Sequence, residues 1–360
     1  MELRGIDVNV LYHHGLNMLR GRGVHEDSRN GPVLVMPEPV MSIYQKPMQR
    51  VLHDMRRAAN PYFHLYESLW MLAGRDDVAA LNTYITDFGT RFAEPDGRVH
   101  GAYGHRWRKA LGFDQLDAIV ARLRAKPDDR QCVLQMWDAT TAVPASDDPF
   151  CMYEGSNDLF GEWKDRPCNT QVYFRVRTVD RSPTRNFGEL IKPEKMLDMT
   201  ITCRSNDIVY GAYGANAVHF SILMEYMAGR IGVKVGTMYQ LSNNYHAYLD
   251  VLERVGEPSL VTYASLAMEP TPMGGMWDLW DSDLATFMLW HARMRNGEED
   301  MGAYHNGWFT TTAEPMFRSH WLFKQAMRNE ARNVAETIGA EDWRFACLQW
   351  LDKRTDARKR

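Results

Sequence analysis

The chain has 360 residues, 45% of them hydrophobic, enough to bury a full core as one large domain or two smaller ones. Its 42 Lys+Arg against 46 Asp+Glu leave no bulk field for nucleic acid, so a few local arginines must hold any anionic ligand. No apolar run approaches the roughly 20 residues of a membrane span, and five irregularly spaced cysteines argue against a disulfide scaffold.

The opening segment, MELRGIDVNVLYHH, lacks the basic-then-apolar pattern of a secretory signal, so a reducing cytoplasm is expected, with thiols available for chemistry. Residues 60–73, NPYFHLYESLWMLA, predict a buried amphipathic helix with Pro61 in its first turn. Residues 114–125 predict a second helix, stopped by Lys126-Pro127. Residues 131–137 and 170–176 have the β-branched and aromatic content of strands. Two stretches, 138–163 and 180–195, are rich in polar residues and prolines and predict surface excursions. Residues 197–203, LDMTITC, alternate with period two and predict a half-buried strand. A helix is expected over 216–230 from Val218, Ile222, Leu223, Tyr226 and Met227, with Gly232 placed for a left-handed C-terminal residue. From Leu266 the chain turns Met- and Trp-rich with helical spacing, and its basic tail, DKRTDARKR, is expected to be frayed and solvated. The expected division is a core over residues 1–265 and a helical C-terminal extension over 266–360.

Arg166-Pro167-Cys168-Asn169 precedes a predicted strand, where the proline fixes the backbone and presents the sulfur at a strand edge. A thiol is a strong nucleophile only as thiolate, which nearby cations favour. Taken one at a time, the residues of interest have plainer readings. Cys168 is a buried filler, Glu67 an exposed face residue, and Arg204 a surface partner of Asp207. His246 is a satisfied core histidine, Asn216 a helix cap, and Tyr213-Gly214 a turn.

Their order changes that reading. Pro167-Cys168-Asn169, then Arg204-Ser205-Asn206-Asp207, then Tyr210 to Asn216, then His246-Ala247-Tyr248 resembles the thymidylate synthase family. There Pro-Cys-His, Arg-Ser-x-Asp, a glycine with a nearby asparagine opening a helix, and His-x-Tyr follow one another. Upstream, Glu67-Ser68-Leu69-Trp70 is similar to the family's Glu-Leu-Leu-Trp helix, and Tyr103-Gly104-His105-Arg106-Trp107-Arg108 to its Tyr-Gly-x-x-Trp-Arg element. Asp114-Gln115-Leu116, Pro127-Asp128-Asp129-Arg130 and Arg29-Asn30-Gly31 also have counterparts, so the resemblance covers roughly residues 25 to 255.

The resemblance implies an α+β fold: a mixed, largely antiparallel sheet packed by helices, with a sheet face forming a homodimer. It implies transfer of a one-carbon unit from methylenetetrahydrofolate to carbon 5 of a pyrimidine nucleoside monophosphate. Addition of Cys168 at carbon 6 would make carbon 5 nucleophilic. Matched residue by residue, Arg204 and Ser205 would hold phosphate with Arg29 and, across the dimer, Arg130. Gln131 stands where a second arginine is usual. Glu67 would be the general acid-base residue, assisted by Tyr103. Asp207 would bind the pterin, and His246 and Tyr248 the sugar hydroxyl. Asn216 would read the base, although it lies one residue later than an ungapped alignment places it. His and Cys residues lack the spacing of a metal site.

The family contains methylating synthases and hydroxymethylases, which differ in whether hydride or water reaches an exocyclic methylene, so water exclusion decides the product. Asn169 in place of His, Thr86-Asp87-Phe88-Gly89-Thr90 in place of a tryptophan pair, and an extension ending in Arg360 favour a relaxed seal and hydroxymethylation. The Tyr-Gly-Ala-Tyr-Gly-Ala-Asn run resembles the branch found in bacteriophage and nucleoside-antibiotic pyrimidine hydroxymethylases. Asn216 tilts the base toward uracil, with dCMP, CMP and reductive methylation of dUMP left open. Two readings of other kinds stand beside these: a thiol hydrolase using Cys168 with His246, and a non-catalytic nucleotide-binding protein.

Overall fold

The computed structural model describes the chain except residues 140–141, 145–152, 156, 180–192, 258–267, 299–301 and 357–360. Much of both expected excursions, 138–163 and 180–195, and the last residues of the basic tail therefore lie outside the described residues.

Short strands and helices alternate in the first part of the chain: β1 (Glu2–Gly5), α1 (Val8–Arg22), β2 (Val24–Ser28), β3 (Gly31–Val35) and β4 (Val40–Tyr44). Then comes α2 (Pro61–Leu72), where the Asn60 side chain accepts from the Phe63 N–H and Pro61 occupies the first turn, as the sequence predicts. All its residues but Glu67 are buried. Two short helices follow, α3 (Phe88–Phe92) and α4 (Tyr103–His105), the latter running into a π-helical turn, Arg106–Ala110. Asp114 caps α5 (Gln115–Ala125), which stops at Lys126 as expected. After β5 (Val133–Gln135), β6 (Ala142–Pro144) and β7 (Tyr153–Gly155) come the two long strands, β8 (Asn169–Val179) and β9 (Glu194–Cys203).

The two-residue β10 (Asn206–Asp207) leads through a π-helical segment, Ile208–Ala215, into α6 (Asn216–Ile231). Gly232 closes α6 at φ 85°, ψ 36°, the left-handed conformation its position predicts. Then come β11 (Lys234–Ser242), β12 (Tyr245–Tyr248) and α7 (Leu249–Val255). The C-terminal part is helical: α8 (Trp280–Arg295), α9 (Glu314–Lys324), α10 (Arg328–Glu336) and α11 (Glu341–Asp356). No helix among the described residues is long and apolar enough to cross a membrane.

The main sheet has the order β1-β4-β11-β9-β8-β5, with β1/β4 and β11/β9 parallel and the other pairs antiparallel. A second sheet runs β10-β12-β3-β2, and β6 pairs with β7. This mixed, largely antiparallel arrangement with packed helices is the α+β class expected. Helix α6, apolar around nearly its whole circumference, packs between α2 and the main sheet.

Three expectations need correction. The strand expected over 131–137 is only Val133–Gln135, because the Met136 and Trp137 N–H groups both donate to one carbonyl, Thr170. The 138–163 stretch is not all surface: Asp158 is buried, bonded to Arg106 at 2.6 Å and His100 at 2.7 Å, and Trp163 stacks on His100 at 3.9 Å. The basic tail is helical to Asp356, and Arg354 lies over the Trp350 ring at 3.8 Å.

Candidate active site

Cys168 stands one residue ahead of β8, where the pairing with β9 shifts register between Asn169 and Gln171. Such a bulge re-aims side chains. The Cys168 and Asn169 N–H groups donate to the Tyr103 hydroxyl oxygen at 3.0 and 2.9 Å, and the Cys168 carbonyl accepts from the Arg204 N–H at 2.8 Å. Cys132, Cys203 and Cys347 are buried, whereas Cys168 is partly exposed. The filler reading fails for it.

Arg204, at the end of β9, extends back over the same loop. Its Nε donates to the Pro167 carbonyl at 3.0 Å and an Nη lies 3.9 Å from the Cys168 sulfur. It is exposed and makes no ion pair with Asp207. Burial raises the Cys168 thiol above its ordinary range; Arg204 draws it back and Asp165 adds to the rise. Arg204 thus favours the thiolate in direction, but desolvation is the larger effect at the sulfur.

Glu67 is the one residue of α2 that is not buried, its side chain 15% exposed. Its Oε2 lies 3.0 Å from His219 Nε2, which is buried on α6 one turn after Asn216. His64, one turn before Glu67, is held well below the usual histidine range by burial, then by Arg57 and His219, and stays neutral. Asp165, three residues before Cys168, is raised to about 6 by burial, then by Glu67, against Arg106, His100 and Arg204. Asp165 thus lies within electrostatic reach of both Glu67 and Cys168. Tyr103 is raised well above the usual phenol range, first by burial and then by Cys168, so it keeps its proton.

The asparagines gather behind the sulfur. Asn169 Nδ2 donates to Asn216 Oδ1 at 3.2 Å, and Asn216 Nδ2 donates to Asn206 Oδ1 at 3.2 Å. The Ile208–Ala215 π-helix, kinked at Gly214, is a wide turn that absorbs the extra residue and delivers Asn216 to the site. Asp207 caps that segment through Oδ1, accepting from the Val209 and Tyr210 N–H groups at 2.7 and 2.8 Å, while its Oδ2 is buried without a partner.

The remaining expected residues lie at the periphery. Ser205 follows Arg204 in the turn between β9 and β10, and its carbonyl accepts from Cys203 Sγ at 3.1 Å. His246 and Tyr248 lie on β12, their rings 5.7 Å apart. Arg29 is exposed in the β2–β3 turn, which Asn30 ties to the Tyr248 hydroxyl at 3.5 Å. Arg130 is exposed, with no ion pair among the described residues, and Gln131 accepts from Arg122. His219, Asp165 and Asn206 were not anticipated. Only His219 had a legible signal, its placement three residues after Asn216 on one helix face.

A family model described as thymidylate synthase matches residues 52–260, a span holding Glu67, Tyr103, Cys168, Arg204 and Asn216. The chain belongs to the thymidylate synthase family. Within the family it is 38% identical over 359 residues to a deoxyuridylate hydroxymethyltransferase of Pseudomonas phage M6, covering 95% of this chain and 91% of that one. A deoxyuridylate hydroxymethyltransferase of Bacillus phage SP01 is 32% identical over 222 residues, 59% of this chain and 50% of its own. A crystal structure of thymidylate synthase from T4 phage is similar with a TM-score of 0.49 at 18% identity, covering 69% of this chain and 81% of that one. A match over 95% of the chain necessarily runs into the C-terminal helices, so the Pseudomonas phage M6 protein shares part of the extension. Among the described residues no group of His, Cys, Asp and Glu could hold a metal ion.

Proposed function

We propose that this folate-dependent one-carbon transferase makes 5-hydroxymethyl-dUMP from dUMP through a covalent Cys168 adduct. The observation that carries the site is the partly exposed sulfur 3.9 Å from the Arg204 guanidinium and beside Tyr103. The substrate and product follow the name of the Pseudomonas phage M6 relative, which matches over most of both chains.

Arg204, with N–H groups beyond those spent on the Pro167 and Arg166 carbonyls, is placed to hold the nucleotide phosphate. Ser205 stands next to it. Once the pyrimidine lies over Cys168, its sulfur adds at carbon 6 and the thiol proton leaves toward the carboxyls of the cleft. Glu67 serves proton transfer at the ring, and the protonated Tyr103 hydroxyl keeps the Cys168 loop in register. Methylenetetrahydrofolate, when bound, supplies a one-carbon unit at the oxidation level of formaldehyde. Asp207 fits that cosubstrate, because Oδ2 is an acceptor with no protein partner. His246 and Tyr248 are assigned to the sugar hydroxyl. Arg29 and Arg130 are assigned to phosphate, Arg130 from a second copy across a homodimer; both are exposed, which suits a ligand or a neighbouring chain.

The test is to incubate the protein with dUMP and methylenetetrahydrofolate and weigh the nucleotide. A gain of a hydroxymethyl group without dihydrofolate is expected, and a methyl product with dihydrofolate would overturn the hydroxymethylase reading. Cys168→Ala should abolish tritium release from carbon 5 with the fold intact. Release at the wild-type rate would remove the nucleophile assignment.

A further inference from the structure

Asp165 is half-buried three residues ahead of Cys168, in the loop that carries the nucleophile. Its carboxyl is seated on Gly101: a Cβ there would lie 2.4 Å from Oδ2 and 3.1 Å from Cγ, so the glycine leaves the room that the carboxyl occupies. Two residues after that glycine comes Tyr103, whose hydroxyl oxygen accepts from the Cys168 and Asn169 N–H groups. One segment therefore holds both the thiol loop and the carboxyl. Of Glu67 and Asp165, it is Asp165 whose charge reaches the Cys168 sulfur, whereas Glu67 faces His219 at 3.0 Å. No described residue donates a hydrogen bond to the Asp165 carboxyl or forms an ion pair with it. A desolvated carboxyl without a donor calls for a water or a ligand.

We propose that Asp165 is a further catalytic residue, the general base that takes a proton from the water adding to the one-carbon unit. The inference rests on the hydroxymethylase reading and names the group that completes it. Before water adds, carbon 5 of the pyrimidine carries an exocyclic methylene and carbon 6 still bears the Cys168 sulfur. The methylene is bonded to the neighbour of the carbon that holds the sulfur, so a base for its water must stand close to that sulfur. The water oxygen bonds to the methylene carbon while one of its protons passes to the Asp165 carboxylate. The electron pair of the exocyclic double bond moves onto carbon 5, in conjugation with the carbon 4 carbonyl. That pair then re-forms the double bond between carbons 5 and 6 and expels the Cys168 thiolate. Addition and expulsion are redox-neutral, so no oxidant or reductant enters. Burial, then Glu67, raises Asp165 to about 6, which leaves it largely ionised near neutral pH and basic enough for the task.

The test separates the steps before water from the step that uses it. Wild-type protein and Asp165→Asn are mixed with methylenetetrahydrofolate and dUMP carrying tritium at carbon 5. Tritium release, hydroxymethyl nucleotide and the mass of the intact protein are followed together. In Asp165→Asn the first tritium should leave as a burst of about one per active site, at a rate within about threefold of wild type. Hydroxymethyl product should form at least about a hundredfold more slowly, the usual worth of a general base. The protein should meanwhile gain the mass of the nucleotide with its methylene, held on Cys168. Should Asp165→Asn fail to fold, Asp165→Ala must show the same split. Burst and product that fall together, or product formed at the wild-type rate, overturn the inference and leave the proposed reaction standing. Wild-type protein that yields methyl product with dihydrofolate overturns the reaction, and the inference with it.

Discussion

Asp165 and Cys168 are both pushed toward their neutral forms by burial and both are drawn back by Arg204, while Glu67 adds to the rise of the carboxyl and Asp165 to that of the thiol. For Asp165 the consequence can be read in stability. Its folded value of about 6 lies above the 3.8 of an open chain, so the native state binds its proton more tightly. The stabilisation from that proton is present below the open-chain value and is lost as pH rises through about 6. Asp165→Asn should therefore raise Tm more at about pH 7.5 than at about pH 4.5, and an equal change at both would remove the claim. His219 makes a kinetic prediction. Its Nε2 makes no hydrogen bond to any described residue but lies 3.0 Å from Glu67 Oε2, and we propose that it positions that carboxyl. His219→Gln should lower kcat by about tenfold or more with little change in KM. In a Glu67→Gln background the same change should cost far less, and additive losses would show that the two act independently.

At the scale of elements, the site depends on how closely α2 meets the turn that carries Tyr103. A Cβ on Gly104 would lie 2.0 Å from the Met71 carbonyl oxygen and 2.4 Å from the Met71 Cα, both backbone atoms that cannot swing aside. Gly104→Ala should cost about 2–4 kcal/mol in a urea melt and slow the reaction of Cys168, because Tyr103 holds the nucleophile loop. A variant of wild-type stability would show that the two elements slide freely. The elements with their own punctuation were legible: Asn60-Pro61 for α2, Asp114 and Lys126 for α5, Gly232 for α6. Residues 131–137 were overread. Composition predicts a strand, but the β8 bulge gives Met136 and Trp137 one shared acceptor and ends the ladder.

The whole molecule is tied together by aromatic packing between α2 and the C-terminal helices. Tyr62 meets Trp350 and His320, and Tyr66 meets His291 and Phe317, with ring centroids 4.3–5.6 Å apart. We propose the division at about residue 265 as one of sequence ancestry, with residues 266–360 covering the back of the helix that carries Glu67. Removal of that extension should leave an aggregated product, since it uncovers Tyr62 and Tyr66; a soluble truncated chain that still binds dUMP would refute this. The same seam holds a buried ion pair, Arg50 with Glu225, whose other oxygen accepts from the Met273 N–H at 2.6 Å. Glu225→Ala should cost about 3–5 kcal/mol in a urea melt by stranding Arg50.

The sequence by itself determined the residue types on offer: a cysteine after proline, arginines in the family order, a helix-borne carboxylate, and the order that marks the family. It also determined α2, α5 and α6, because caps, prolines and apolar spacing act within a few residues along the chain. Tertiary structure alone decided that His219 meets Glu67, that Asp165 comes within electrostatic reach of Glu67, and that Asn169, Asn206 and Asn216 join into one run. It also decided that desolvation outweighs Arg204 at the sulfur. Those outcomes depend on distances and dielectric between residues far apart in the chain, and neither quantity is written in local spacing.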